Sequence, residues 1–102
     1  MTRGEVWLAA VGGKTRPVVV LTRAAVIDFR SFVTVAEITS SVRGIRTEVS
    51  FDLDSAGVDR DSVVNCDGLY TVPRASLASR LGVLDDSAMA RLCGALNYAL
   101  GC

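Results

Sequence analysis

Lys14-Thr15-Arg16-Pro17-Val18-Val19-Val20-Leu21 is the stretch on which the reading of the fold turns. From Val18 to Leu21 every side chain is aliphatic and three in a row are β-branched, so the run is apolar on both faces, as a central strand of a covered sheet is. Pro17 has no N–H to give to a ladder and is tolerated because it stands at the mouth of the run. It also drives Arg16 into an extended conformation.

Working outward, Glu5-Val-Trp-Leu-Ala-Ala10 reads as a first strand, joined to the central one by the turn Val11-Gly-Gly-Lys14. Residues 23–31 form a polar-studded connection. Phe32 to Thr39 is a third strand, on which the two-residue period places Val35, Glu37 and Thr39 on one face. Ser40 to Arg46 is a loop. Thr47–Leu53 and Ser62–Asn65 are predicted as further short strands, separated by a turn rich in Asp, Ser and Gly. Pro73 is expected to open a short helical turn that ends near Gly82. Asp85 or Asp86 can cap a longer helix, with Met89, Leu92, Cys93, Leu96 and Leu100 at helical spacing and Gly101 at its stop. The whole predicts one α+β domain over residues 1–102: a strongly bent antiparallel sheet of five or six strands closed by a C-terminal helix.

Composition narrows the function classes. Of 102 residues, 50% are hydrophobic and 22% charged, which supports a packed core and argues against disorder. No apolar run approaches the ~20 residues of a membrane span. No secretory leader is recognisable either, so a soluble cytoplasmic protein is expected, with no membrane association. The cysteines Cys66, Cys93 and Cys102 are odd in number and widely spaced, unlike a disulfide framework or a zinc site. There is no histidine. That removes histidine acid–base catalysis, Ser/His and Cys/His nucleophile pairs and most transition-metal sites.

Net charge is zero but unevenly placed, with seven basic and three acidic residues before Thr47 and four basic and eight acidic from there on. Ten of the eleven cations are arginine, whose planar fork suits phosphate. A local site for a short anionic ligand is expected rather than broad binding of duplex DNA.

Three places carry candidate chemistry. Gly12-Gly13-Lys14-Thr15-Arg16-Pro17 puts two cations before a buried strand. Its glycines suggest a nucleotide-triphosphate loop only weakly, because a strand rather than a helix follows and the spacing differs. Glu37-Ile38-Thr39-Ser40-Ser41 places hydroxyls at a strand end, where they equally satisfy turn backbone. Arg43-Gly44-Ile45-Arg46 is a loop able to grip phosphates, or simply a solvated one.

Taken in order, Arg3-Gly4-Glu5-Val6-Trp7, Lys14 to Leu21, Val35-Ala36-Glu37-Ile38-Thr39-Ser40, Ser62-Val63-Val64-Asn65-Cys66-Asp67, Leu77 with Leu81-Gly82-Val83-Leu84, and Ala95 to Gly101 resemble the MazF/PemK family of toxin endoribonucleases. The resemblance implies an SH3-like β-barrel with a C-terminal helix, a homodimer, a single-stranded RNA substrate cut at short sequences, and a cognate antitoxin. It implies cleavage without a metal or cofactor, giving 2′,3′-cyclic phosphate and 5′-hydroxyl ends. The family's catalytic arginine falls on Arg16 and its catalytic threonine on Thr39. Lys14, Ser40, Arg43, Arg46 and Tyr70 are the candidate RNA contacts, Tyr70 as an aromatic platform for a base or, equally, as a core residue. A second reading, from toxins that share the barrel but poison gyrase by binding it, has no nucleolytic site.

The chemistry suits these residue types. An arginine beside the scissile phosphate supplies a fixed positive charge, and a hydroxyl can donate to a non-bridging oxygen. Proton transfer by arginine is disfavoured, since a pKa above ~12 leaves almost no neutral form at pH 7. Two departures from the family stand out. The first inter-strand loop lacks the usual acidic residue, and Glu37 occupies a position where the family commonly has proline. Glu37 is therefore a candidate support, as a holder of Arg16 or as a proton acceptor, against the plainer reading of a surface carboxylate.

Overall fold

The run Val18-Val19-Val20 is wholly buried, and the reason it is apolar on both sides is that both sides are covered. In the computed structural model, which describes every residue from Met1 to Cys102, this run ends strand β2 (Lys14–Val20). β2 pairs antiparallel with β1 (Glu5–Val11) on one side and with β3 (Phe32–Thr39) on the other. Val19 points into a core with Val6, Ala36, Ile38, Val64 and Leu92. Val18 and Val20 point the other way, into a core with Ala9, Ile27, Val35 and Leu77. One alternating strand thus feeds two cores, as the period of two requires.

The β1–β2 connection is a two-residue hairpin, Gly12 and Gly13 taking φ of 59° and 77°. Two successive left-handed residues define the turn whose twist matches a right-handed strand pair, which is why glycine stands at both places.

The remaining strands are β4 (Glu48–Val49), β5 (Val63–Pro73) and β6 (Leu77–Val83), and the sheet order is β4-β5-β3-β2-β1-β6. All six strands are antiparallel to their neighbours, and β4 and β6 form the edges. The sheet is thus SH3-like but curls without closing. Three short helical pieces fill its connections: α1 (Ala24–Ile27), α2 (Leu53–Ala56) and a single 3₁₀ turn at Arg74–Ser76.

The C-terminal helix α3 (Asp86–Leu100) is capped by Asp85, whose carboxylate accepts from the N–H of Ala88 at 3.1 Å. Gly101 ends it with φ of 74°. Ala88, Leu92 and Ala95 are its buried face. Truncating Leu92, fully enclosed, is expected to cost about 2–5 kcal/mol. The predicted stripe is rotated from this face: Leu92 lies at its centre, Met89 and Leu96 flank it, and Cys93 and Leu100 face outward. No helix is long and apolar enough to cross a membrane.

Two predicted segments are corrected. Thr47–Leu53 alternates like a strand, yet only Glu48 and Val49 pair. Asp52 then caps α2, which stops at Gly57 with φ of 72°. Pro73–Gly82 is not helical beyond one turn. From Leu77 the chain runs as β6 along the free edge of β1, pairing Leu77 with Ala9 and Gly82 with Val6. A Cβ on Gly82 would lie 2.3 Å from the Ser55 carbonyl oxygen, so this edge strand also seats α2.

The irregularity that matters for function is in β5. Opposite Ala36 stands Leu69, but opposite the next residue, Glu37, stands Asn65. Cys66, Asp67 and Gly68 bulge out of the ladder with β3, a distortion that sheets use to re-aim side chains.

Candidate active site

Arg16 and Thr39, far apart in sequence, line one cleft of about 670 Å³ together with Lys14, Ser40, Ser41, Arg60 and Ser62. The β2–β3 register explains the meeting. Val20 faces Val35 and Val18 faces Glu37, so extending the register by two residues brings Arg16 level with Thr39. Both sit where paired strands leave the core, and rigid elements hold such side chains more closely than loops do.

At Arg16 the guanidinium donates from Nη1 to Oε1 of Glu37 at 2.9 Å, with side-chain exposures of 21% and 12%. Its Nε is buried and unpartnered, so this ion pair is the one polar contact that fixes the group. Glu37 is held in turn. Asn65 Nδ2 donates to its Oε2 at 2.9 Å and the Tyr70 hydroxyl to its Oε1 at 3.3 Å. Asn65 Oδ1 accepts the N–H of Asp67, and the Asp67 carboxylate accepts from the Thr47 hydroxyl at 2.7 Å. The bulge in β5 makes this possible by setting Asn65 and Gly68 against the same carboxylate.

Thr39 is arranged differently. Its Oγ1 accepts the backbone N–H of Ser41 at 3.1 Å, fixing the turn after the strand. One of its two lone pairs is thereby used, and the hydroxyl proton is left to donate into the cleft. Asp59 is the one carboxylate lining this cleft; Glu37 is not among its lining residues.

The other candidate RNA contacts divide. Lys14 and Ser40 are at the cleft. Arg43 and Arg46 lie beyond it on the loop 40–47, and Arg46 borders a second hollow of about 740 Å³ together with Gly44, Ile45, Thr47, Asp67, Tyr98 and Ala99. The Arg46 guanidinium stands over the Tyr98 ring, 4.4 Å from its centroid, a cation–π arrangement. Arg43 pairs through Nε with Glu48 at 3.3 Å. Tyr70 is turned away from the cleft, its hydroxyl spent on Glu37 and its ring packed on the core with Val35.

Glu48 was invisible in the sequence as a site residue and proves to organise the loop. Its side chain is 3% exposed and accepts from the N–H groups of Arg43 at 2.9 Å and Gly44 at 2.8 Å. Burial alone would raise its pKa, but those backbone donors and the Arg43 side chain outweigh it and hold the carboxyl below the ordinary glutamate range. Asn65 was likewise missed as a support; its burial among aliphatics in Val63-Val64-Asn65-Cys66 was the available signal. Cys66 is no nucleophile, since burial and then the neighbouring Asp67 charge push its thiol up to about 11.

The cleft brings a fixed guanidinium, a strand-end hydroxyl and the further cations Lys14 and Arg60 together beside the apolar side chains of Leu8, Ile38, Val58 and Leu81, a set of groups able to hold an anion such as a phosphate.

Comparison with known proteins agrees. A family model described as "PemK-like, MazF-like toxin of type II toxin-antitoxin system" matches residues 2–100. Probable endoribonuclease MazF2 of Mycobacterium tuberculosis is 37% identical over 102 residues, all of both chains. Probable endoribonuclease MazF5 of the same organism is 42% identical over 103 residues, covering 98% of this chain and 93% of that one. The solved structure of Mycobacterium tuberculosis toxin MazF-mt6 superposes with a TM-score of 0.88 at 38% identity, over 95% of this chain and 96% of the other. A mycobacterial endoribonuclease in complex with its cognate antitoxin has a TM-score of 0.88 at 25% identity, covering 99% and 95%. The gyrase-binding reading finds no support among these relatives. The chain belongs to the PemK/MazF family of toxins of type II toxin–antitoxin systems.

Proposed function

We propose that this toxin is a metal-independent endoribonuclease that cuts single-stranded RNA at short sequences, with Arg16 and Thr39 at the scissile phosphate. The observation that carries the reading is the shared cleft: a guanidinium held by one edge and a hydroxyl with its proton free, at the ends of adjacent strands. RNA supplies its own nucleophile, the 2′-hydroxyl. When that oxygen attacks the adjacent phosphorus, the P–O5′ bond breaks, leaving a 2′,3′-cyclic phosphate and a 5′-hydroxyl. Charge builds on the non-bridging oxygens, and Arg16 stabilises it while Thr39 donates a hydrogen bond. A fixed donor of this kind is worth about 10²–10³ in rate.

Lys14 and Ser40 hold flanking phosphate and ribose from the cleft, and Arg43 and Arg46 continue the cationic track along the loop. Tyr70 contributes behind the cleft, through Glu37, rather than as a stacking platform. The protein acts in the cytoplasm, as one toxin domain over residues 1–102, as a homodimer, and a cognate antitoxin binds and silences it; a mycobacterial endoribonuclease of the same fold is solved in complex with its cognate antitoxin.

The test is incubation of purified protein with total RNA in excess EDTA, followed by sequencing of new 5′-hydroxyl ends. Ends clustered at one short sequence are expected. RNA left intact in EDTA, or supercoiling by gyrase stalled instead, overturns the reading.

A further inference from the structure

We infer that Glu37 is a positioning residue for Arg16, and that Asn65, Tyr70 and Gly68 form the seat that holds it; the inference rests on the ribonuclease reading of Arg16. Three observations converge. The Arg16 guanidinium has a single hydrogen-bond partner, Glu37, at 2.9 Å, and its Nε is buried with none, so nothing else fixes the plane of the fork. Glu37 has both oxygens engaged, Oε1 by Arg16 and Tyr70 and Oε2 by Asn65, so it is fixed in turn from the opposite strand. Finally, a Cβ at Gly68 would lie 2.6 Å from both Cγ and Cδ of Glu37 and 2.7 Å from Oε2. Position 68 has no left-handed backbone requirement. It is glycine because the carboxylate occupies the space.

This arrangement favours holding Arg16 over accepting a proton. A base must reach the 2′-hydroxyl, whereas Glu37 is 12% exposed, stands behind the lining of the cleft and has both oxygens engaged by Arg16, Tyr70 and Asn65. One cost follows. A carboxylate beside the guanidinium offsets part of its charge at the phosphate, so the gain lies in orientation, and misplacement by about 1 Å is enough to lose ~10²-fold in rate.

Glu37→Gln keeps the side chain's size but turns a donor toward either Arg16 or Asn65. It is expected to lower kcat about 10- to 100-fold with KM changed less than about 3-fold. Gly68→Ala displaces the same carboxylate without altering its chemistry and should reproduce that split; Tyr70→Phe, losing only the 3.3 Å contact, should cost about 2-fold. In an Arg16→Ala background, adding Glu37→Gln should have no further effect, because the residue it positions is gone. The ¹⁵N relaxation of the Arg16 guanidinium reports the restraint directly and should show faster motion in Glu37→Gln and in Gly68→Ala.

Wild-type kcat in Glu37→Gln with Arg16→Ala inactive overturns the positioning role and leaves the ribonuclease reading standing. Loss of the acid limb of the kcat–pH profile in Glu37→Gln overturns it too, by making Glu37 the proton acceptor. An active Arg16→Ala variant removes the ribonuclease reading of Arg16 itself.

Discussion

Arg16 and Arg46 carry the same charge and are held in opposite ways. Arg16 stands on a strand at 21% side-chain exposure, clamped by a carboxylate that is itself clamped from the next strand. Arg46 stands on the loop 40–47, exposed, with its guanidinium laid on the Tyr98 ring of the C-terminal helix. A strand-end arginine with a buried partner has one geometry, which transition-state stabilisation needs. A loop arginine over an aromatic can follow a substrate, which binding needs. Under the proposed ribonuclease function, rate belongs to the first region and affinity to the second.

The most severe way to break that contrast is at Arg16. Arg16→Ala should lower kcat by about 10³ or more, with KM changed only a few-fold. Because it leaves Glu37 part-buried with only Asn65 and Tyr70, Tm should also fall, by the loss of one charged hydrogen bond of about 1.5–3 kcal/mol. Arg16→Lys keeps the charge and the fold but loses the planar fork, and should recover stability more than rate. Single-turnover cleavage together with thermal unfolding separates the two. Recovery of both by lysine would mean that charge, not geometry, is what the clamp preserves.

At Thr39 the expected effect is smaller. Thr39→Val keeps the β-branched shape and removes the hydroxyl that both accepts from Ser41 and donates to the cleft. A loss of about 10- to 100-fold in kcat is expected. Thr39→Ser restores both bonds and should return activity to within a few-fold of wild type, measured on the same RNA.

The same division explains what could be read without coordinates. The central strand, the third strand and the helix from Asp86 to Leu100 were legible because buried apolar periodicity determines them. Arg16 and Thr39 were not legible from their own surroundings; the ordered resemblance to the MazF/PemK family singles them out and places both at the ends of successive strands. Glu48 was not legible, since its role comes from the way the loop 43–45 folds its N–H groups onto one carboxylate. Asn65 was hidden because the bulge at Cys66–Gly68 decides what it faces, and no local pattern announces a three-residue bulge. Residues 77–83 were misread as the tail of a helical turn because an edge strand is determined by its partner, here β1, rather than by its own sequence. Tyr70, by its place after Asp67 in the family pattern, reads equally as a base platform or as core, and its hydroxyl is committed to Glu37 while its ring packs on the core.

On the loop side, Arg46→Ala should raise KM about 3- to 10-fold and leave kcat near wild type. If Arg46 contacts one phosphate, the slope of log affinity against log salt should become less steep by about 0.7 for a single-stranded ligand. A large fall in kcat with unchanged salt dependence would break the division between the two regions, by placing Arg46 in the chemistry.

The mildest expected effect concerns what shapes that loop. Glu48 has its pKa lowered in the fold, so the stability it contributes is fully present above the ordinary glutamate value of 4.5 and is lost only as pH falls through the lower, folded value. Loop order and RNA affinity should therefore be flat between about pH 5 and 8 and decline below pH 4.5, as followed by amide exchange at Arg43 and Gly44. Glu48→Gln places an NH₂ group where three donors, two backbone N–H groups and the Arg43 Nε, now converge on oxygens. It should speed exchange at both amides and raise KM about 2- to 3-fold at every pH, since one donor must go unpaired. Because Ser40 and Ser41 extend the same loop into the cleft, kcat should fall by less than about 2-fold. A larger fall would show that the loop's order reaches Thr39 through its bond to Ser41, and that the two regions are one mechanical unit.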